Sequence, residues 1–167
     1  GDDGNALTTA RMACEAAKDY GGDRIEVFDD CNQSIVRRFD DMQLVADIQK
    51  SLDGDGFGLV DQPLASLGHT PKPPRFEVLL RMSDGDGGNI PAKALFSAAE
   101  RYQMMPHIDR WVISTVLSKL TEVSESVMQQ NAIFAINLSG QSLADDDILE
   151  FIKEEIERSG LPPSSLC

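Results

Sequence analysis

The chain has 167 residues, of which 41% are apolar and 26% charged, so its composition excludes a disordered chain and predicts a packed core. Its formal net charge of −13 argues against nucleic acid as a partner, because nucleic-acid-binding proteins neutralise phosphates with cationic side chains. No run of about eighteen apolar residues is present, so we expect membrane attachment only through further segments of a longer parent protein.

The cysteines do not suggest a disulfide framework. Cys14, Cys31 and Cys167 are widely spaced and odd in number, and no C-x-x-C is present. Zinc binding is therefore not indicated either. A reducing, cytoplasmic setting is the default expectation for such a chain.

The N-terminal part predicts a helix followed by a strand. The helix covers residues 6–20, carries a stripe of small side chains and ends at Gly21-Gly22. The strand covers Arg24–Phe28. This pair is too small to bury a core of its own, so it must pack on something else or be the remnant of another domain. A second helix is predicted over Asp40–Leu52.

Strands and helices then alternate along the chain. We expect strands at Phe57–Val60 and Arg75–Arg81, each bounded by residues that favour turns. Pro91 suits the first position of a helix that runs to Tyr102. Another helix is predicted over His107–Val123.

The last third of the chain predicts a buried strand and a helix. Ala132–Leu138 is apolar on both faces, which is typical of a parallel strand with helices on each side. Ser142-x-x-Asp145 resembles a capping signal for the final helix. The acidic run from Asp145 to Asp147 is interpreted as favourable charge at that helix N-terminus. An α/β fold should then begin another strand near Cys167.

We expect the fold to continue beyond this chain. If it does, the strand over residues 132–138 would have an unpaired edge. Such an edge favours oligomerisation or poor solubility.

The strand over residues 75–81 alternates between two kinds of face. Phe76, Val78 and Leu80 form an apolar face, and Glu77, Leu79 and Arg81 lie on the other. Glu77 and Arg81 would be about 13 Å apart, at roughly 3.3 Å per residue, so each needs another partner. The commoner interpretation is the solvated face of an antiparallel edge strand. The alternative is a polar face that lines a site.

Asn137 also allows two interpretations. Polar residues at the carboxyl ends of strands line the site in closed barrels of alternating strands and helices. Asn137 could equally just begin the turn that ends at Gly140, because Asn and Gly favour turns. Gln62-Pro63 ends the first predicted strand with the same ambiguity.

Five motifs together resemble the opening of an EAL domain in order and spacing. They are Gln62-Pro63-Leu64, Glu77-Val78-Leu79-Leu80-Arg81, Pro91 with Ala98-Ala99-Glu100-Arg101-Tyr102, Ile108-Asp109-Arg110-Trp111-Val112, and Asn137-Leu138-Ser139-Gly140. Upstream, residues 13–18 and 23–27 resemble the last helix and strand of a GGDEF domain.

The resemblance predicts the domain organisation and fold class. Residues 1–38 would be the C-terminal remnant of a GGDEF domain with its linker, and residues 39–167 the N-terminal part of an EAL domain. The fold class is then α/β, with α+β character in this fragment. It would be an incomplete TIM-like EAL barrel preceded by the helix–strand remnant.

The resemblance also implies a function in signalling by cyclic di-GMP. Catalytic EAL domains hydrolyse cyclic di-GMP to linear pGpG with Mg²⁺ or Mn²⁺, in a two-metal site. It implies that Glu77 and Asn137 are catalytic metal ligands. It further implies that Gln62, Leu79 and Arg81 contact cyclic di-GMP, with Arg81 on a phosphate. Val78 stands where the signature has Ala, a mild change because it points to the apolar face.

Two alternatives to an enzyme remain open. The EAL-like part is roughly half of the ~250 residues of a complete barrel, so we expect this chain alone to be inactive. The first alternative is a non-catalytic receptor for cyclic di-GMP, against which the retained Glu77, Arg81 and Asn137 argue mildly. The second is a structural module that forms a homodimer through the helix over residues 40–52.

Overall fold

The computed structural model describes residues 10–11, 13–14, 25, 33–54, 56–67, 72–85 and 87–167. The chain divides into two compact units, residues 1–46 and 47–167. In the first unit, residues 10–11 and 13–14 are helical, and Ala13 is buried. The rest of the helix predicted over residues 6–20, and all but Ile25 of the strand predicted over Arg24–Phe28, lie outside the described residues.

Helix α1 covers Gln33–Asp53 and so begins seven residues before the predicted start. Its last turn buries Ile48 and Ser51, and the Ser51 hydroxyl donates to the Asp47 carbonyl oxygen at 2.8 Å. The chain then turns back so closely that a Cβ on Gly56 would collide with the Ser51 side chain. Glycine at position 56 therefore allows the first strand to begin directly beside the end of α1.

Three strands form one sheet in the order β1-β2-β3. They are β1 (Phe57–Leu64), β2 (Arg75–Met82) and β3 (Ile133–Ile136). β1 is antiparallel to β2, and β3 is parallel to β2. β2 therefore lies in the middle of the sheet, and the interpretation of residues 75–81 as an edge strand was wrong.

The second edge of β3 is also paired. The Ile136 N–H donates to the Cys167 carbonyl oxygen, and the Cys167 N–H donates to the Phe134 carbonyl oxygen, both at 2.9 Å. Leu166 forms a parallel bridge with Phe134. Extended backbone thus begins after the last helix, as predicted. The expectation of an unpaired edge on β3 was wrong at Phe134 and Ile136.

Five helices and a single 3₁₀ turn account for most of the remaining described residues. They are α2 (Ala92–Arg101), α3 (Met105–Glu122), α4 (Ser124–Gln130), α5 (Gly140–Leu143), α6 (Ile148–Ser159) and the turn Pro163–Ser165. Pro91 precedes α2 instead of forming its first residue. The short α4 and α5 were not predicted, because seven and four residues are too few to show a helical period.

The core lies between the sheet and the helices. Val78, Leu80 and Met82 are buried on the face of β2 against which α2 packs. Trp111 of α3 contacts Phe57 of β1 edge-to-face, with ring centroids 5.2 Å apart. This mixed helix–sheet arrangement is consistent with part of a barrel whose helices cover the outside. Within the described ranges, none of the helices is long and apolar enough to cross a membrane.

Candidate functional site

Strand register brings four of the five predicted site residues to one face of the sheet. Gln62 lies opposite Glu77, Val60 lies opposite Leu79, and Gly58 lies opposite Arg81. Paired residues on neighbouring strands point to the same side, and alternate residues share a face. Gln62, Glu77, Leu79 and Arg81 therefore all lie on the face turned away from the buried Val78 and its neighbours.

Asn137 joins this group from the end of β3. Glu77 pairs with Ala135 in the parallel register, so Asn137 continues the same face one step further along the strand. Its side-chain Nδ2 donates to Glu77 Oε1 at 2.9 Å, across 60 residues of chain. This contact gives Glu77 the separate partner that the sequence required. A residue that only began the turn would not need to contact Glu77, so the contact favours the interpretation of Asn137 as a site residue.

Arg81 and Leu79 reach a cavity at the end of the sheet. The cavity has a volume of about 330 Å³ and lies where β2 and the turn after β3 meet α2 and α3. Of the predicted site residues, Leu79, Arg81 and Asn137 line it, whereas Gln62 and Glu77 do not. Val78 and Leu80 from the packed face of β2 line it as well. The volume falls in the range of small-ligand sites. Three of the five predicted residues thus line this cavity, and the other two lie on the sheet face beside it.

The guanidinium of Arg81 is positioned by its own strand. Its Nη1 donates to the Leu80 carbonyl oxygen at 2.9 Å. A guanidinium carries five N–H donors in a planar fork, so one bond to the backbone leaves capacity for an anion. Arg81 is only half-buried, which keeps it accessible to a ligand at the cavity mouth.

Sequence reasoning assigned no role to Asp109, which the structure places beside the site. Asp109 lies in α3 and is only 4% exposed. Its Oδ2 accepts a bond from the Ser139 backbone N–H at 2.8 Å and another from the Ser142 hydroxyl at 2.6 Å. The available signal was its position one helical turn before Val112 and Ile113, which puts a carboxylate on the buried stripe of the helix.

The serines after β3 correct the predicted helix cap. Ser139, not Ser142, is a capping residue: its hydroxyl oxygen accepts from the Ser142 N–H at 3.1 Å at the start of α5. Ser142 is completely buried and donates to Asp109. The capping signal read at Ser142-x-x-Asp145 was therefore wrong, because a partner distant in sequence takes the Ser142 hydroxyl.

Asp145 belongs to a contact between α3 and the start of α6. Arg110 Nη2 donates to Asp145 Oδ2 at 2.8 Å, and the Arg110 guanidinium lies 4.6 Å from the centroid of the Phe151 ring. The hydrogen bond from Arg110, with a further one from the Asp147 backbone N–H, lowers the pKa of Asp145 below its ordinary value of 3.8. Asp145 thus forms a specific ion pair with Arg110, which the sequence did not predict.

The donor set at Glu77 and Asn137 suits a hard divalent cation only in part. Carboxylate and amide oxygens are the ligands that Mg²⁺ prefers, and rotating the Asn137 amide would present Oδ1 beside Glu77. Within the described part of the chain, however, no group of three or more His, Cys, Asp or Glu side chains could hold a metal ion. The two residues fit as members of a metal site that needs further ligands.

Comparison with known proteins shows which family the chain belongs to. The family model for the EAL domain matches residues 45–167, and the chain belongs to that family. It is 30% identical over 161 residues to the cyclic di-GMP phosphodiesterase PdeB of Shewanella oneidensis, covering 96% of this chain and 19% of that protein. It is 28% identical over 122 residues to the cyclic di-GMP phosphodiesterase PdeA of Borreliella burgdorferi, covering 72% of this chain and 18% of that protein.

Solved structures agree with the family assignment. The EAL domain of FimX from Pseudomonas aeruginosa, bound to cyclic di-GMP, matches with a TM-score of 0.65 and 30% identity. That match covers 74% of this chain and 48% of the FimX chain. The chain therefore spans about half the length of this structural relative and about a fifth of the two phosphodiesterases.

Proposed function

We propose that this chain is the first part of an EAL domain whose complete parent hydrolyses cyclic di-GMP to linear pGpG. The observation that supports the proposal best is the contact between Glu77 and Asn137 on the sheet face that also carries Leu79 and Arg81. Similarity to two cyclic di-GMP phosphodiesterases and to a cyclic di-GMP-bound EAL domain points to the same nucleotide.

Each site residue has a role in this proposal. Glu77 and Asn137 would hold Mg²⁺ or Mn²⁺, and the bound ions would supply activation of the attacking water and stabilisation of the negative charge on the leaving oxygen. Arg81 binds a phosphate through its free guanidinium donors. Gln62 and Leu79 contact the nucleotide from the same face. Divalent cations bound at Glu77 and Asn137 would neutralise the phosphates locally, so a chain of net charge −13 could still bind an anionic dinucleotide.

The 167-residue chain on its own should bind without cleaving. Glu77 and Asn137 supply two ligands, and the described residues provide no cluster of three acidic or imidazole ligands to complete a metal site. The second candidate is a receptor that binds cyclic di-GMP without hydrolysis, against which the retained contact between Glu77 and Asn137 argues mildly. A homodimer through α1 is a separate, structural proposal for which light scattering at several concentrations is the test.

The N-terminal residues 1–38 are proposed to be the end of a GGDEF domain in a cytoplasmic parent. The similarity to PdeB extends over 96% of this chain, well beyond the start of the EAL match at residue 45. Cys14 and Cys167 are free cysteines, which fits a reducing compartment.

Calorimetric titration of cyclic di-GMP into this chain, with Mg²⁺ at fixed salt, tests the proposal. We expect saturable binding that weakens at least tenfold in Arg81→Ala, because a charged hydrogen bond to phosphate is lost, about 1.4 kcal/mol per factor of ten. Glu77→Ala should abolish the effect of Mg²⁺ on affinity. Lys119→Ala, which removes an exposed positive charge from α3 away from the cavity, is the matched control.

Two results would contradict the proposal. Binding that Arg81→Ala and Glu77→Ala leave unchanged would place the ligand elsewhere, and no binding at all would mean that these residues do not form a ligand site in this chain. Chromatography of the same mixtures distinguishes receptor from enzyme. Production of pGpG by this chain, lost in Glu77→Ala, would show that it is active alone.

A further inference from the structure

We propose that Asp109 is the positioning residue that holds Asn137 beside Glu77, by fixing the turn that follows β3. The inference rests on the proposed function where it treats Asn137 as a site residue. Asp109, on α3, lines the cavity together with Asn137 and Ser139, and it acts through its hydrogen bonds to Ser139 and Ser142.

The turn that carries Asn137 is anchored on both sides. Before it, the Ile136 N–H donates to the Cys167 carbonyl oxygen at 2.9 Å. After it, the Ser139 N–H donates to Asp109 at 2.8 Å. Only Asn137 and Leu138 lie between these two anchors. With so little chain between fixed points, the direction of the Asn137 side chain follows from the anchors.

A carboxylate at position 109 serves this purpose through a single oxygen. Asp109 Oδ2 accepts both the backbone N–H of Ser139 and the hydroxyl of Ser142, so it binds two consecutive parts of the turn and α5 to α3. Hydrogen bonds to an ionised acceptor are the stronger kind. If this oxygen were removed, a buried hydroxyl and a backbone N–H would lose their partner, which makes a rearranged turn favourable.

Because Asp109 is buried, its carboxylate depends on its hydrogen bonds more than a surface carboxylate does. Asp109 is 4% exposed and Ser142 is completely buried. A buried charge is retained only where bonds compensate its desolvation. The carboxylate thus defines one arrangement of the turn, and that arrangement brings Asn137 Nδ2 to 2.9 Å from Glu77 Oε1.

A pair of variants separates geometry from charge. Asp109→Asn can keep a carbonyl oxygen where Oδ2 lies, so both bonds can persist without the negative charge. Asp109→Ala removes the acceptor altogether. If Asp109 positions Asn137, the Asn variant should resemble the wild type and the Ala variant should not. If its charge contacted the metal or ligand directly, both variants should fail alike.

The first measurement is the NMR spectrum of the 167-residue chain without ligand. The Asn137 side-chain amide signals, assigned by their absence in Asn137→Ala, report its contact with Glu77. In Asp109→Ala we expect them to shift to the positions seen in Glu77→Ala, and the Ser139 N–H to exchange with solvent at least tenfold faster. Asp109→Asn should stay near the wild type, within threefold in exchange rate. Near-ultraviolet circular dichroism of Trp111 checks that each variant is folded.

The second measurement is Mn²⁺ affinity by calorimetry. Loss of a group that orients a metal ligand weakens binding by about 10–100-fold, and we expect this range for Asp109→Ala and less than threefold for Asp109→Asn. Because Glu77 and Asn137 need further metal ligands, a wild-type chain that binds no Mn²⁺ leaves the decision on Asp109 to the Asn137 amide signals.

Two outcomes would overturn the inference. One is a folded Asp109→Ala whose Asn137 amide signals match the wild type. The other is an Asp109→Asn variant that releases Asn137 as completely as Glu77→Ala does. Should Asp109→Ala fail to fold, Ser142→Ala takes its place: it removes one of the two bonds, and its Asn137 signals should move part of the way.

Discussion

Leu79 and Leu80 are adjacent in sequence but lie on opposite faces of β2. Leu80 is buried on the face against which α2 packs, whereas Leu79 is half-buried on the face that carries Glu77 and Arg81. β2 thus has two different faces. One packs against the helices and holds the sheet in place, and the other is polar and less buried. The comparison suggests that substitutions on the two faces should affect different properties.

The largest expected effect is on stability, from Leu80→Ala. Truncating a buried leucine removes apolar contacts and leaves a cavity, which costs about 2–5 kcal/mol in the free energy of unfolding. Urea denaturation at neutral pH measures this loss.

Leu79→Ala is the matched control, with the same change one residue away. Because Leu79 is only partly removed from solvent, we expect a loss of stability below about 1.5 kcal/mol. Its affinity for cyclic di-GMP should fall, since Leu79 lines the cavity beside Arg81. Equal losses of stability in both variants would show that the two faces do not differ in the way the structure indicates.

Glu77→Gln examines the polar face without changing its shape. Glutamine keeps an oxygen that can accept from Asn137, so unfolding free energy should change by less than about 1 kcal/mol. Mn²⁺ affinity should nevertheless fall at least tenfold, because a neutral amide is a poorer ligand for a hard cation than a carboxylate. Calorimetry and urea denaturation on the same sample measure both quantities. A large loss of stability with unchanged Mn²⁺ affinity would mean that Glu77 serves the fold instead.

Local patterns predicted this difference between the faces well. The alternation from Arg75 to Arg81 requires Glu77, Leu79 and Arg81 to share a face, and the structure has that arrangement. The family resemblance, carried by motifs of several residues, predicted the EAL assignment that the family model confirms. Both depend on residues close together in sequence, where spacing alone determines geometry.

Contacts between distant residues were not predictable in the same way. Nothing in the sequence shows that β2 lies in the middle of the sheet, because pairing depends on register with β1 and β3. The partner of Asp109 lies 30 residues away, at Ser139. Ser142-x-x-Asp145 matched a local capping pattern, yet tertiary partners took both side chains. A local capping pattern fails to predict the structure where a distant side chain binds the same group, as Asp109 binds Ser142 and Arg110 binds Asp145.

The smallest expected effect concerns the ion pair between Arg110 and Asp145, on the helical side of the molecule. Because the pKa of Asp145 is lowered in the folded chain, its contribution to stability is present above the ordinary value of 3.8 and is lost as pH falls through the lowered value. Asp145→Asn should therefore be less stable than wild type at pH 7. The difference should stay constant down to about pH 5 and shrink at more acid pH.

Denaturation of wild type and Asp145→Asn at each pH measures that difference, which cancels the titration of the other carboxylates. Both side chains are 30% exposed, so solvent screening keeps the effect small. The variant should leave cyclic di-GMP affinity unchanged, because Asp145 is not among the residues that line the cavity. A loss of affinity in Asp145→Asn would instead link the α3–α6 contact to the turn that carries Asn137, and the helical side would then contribute to the site as well as to the fold.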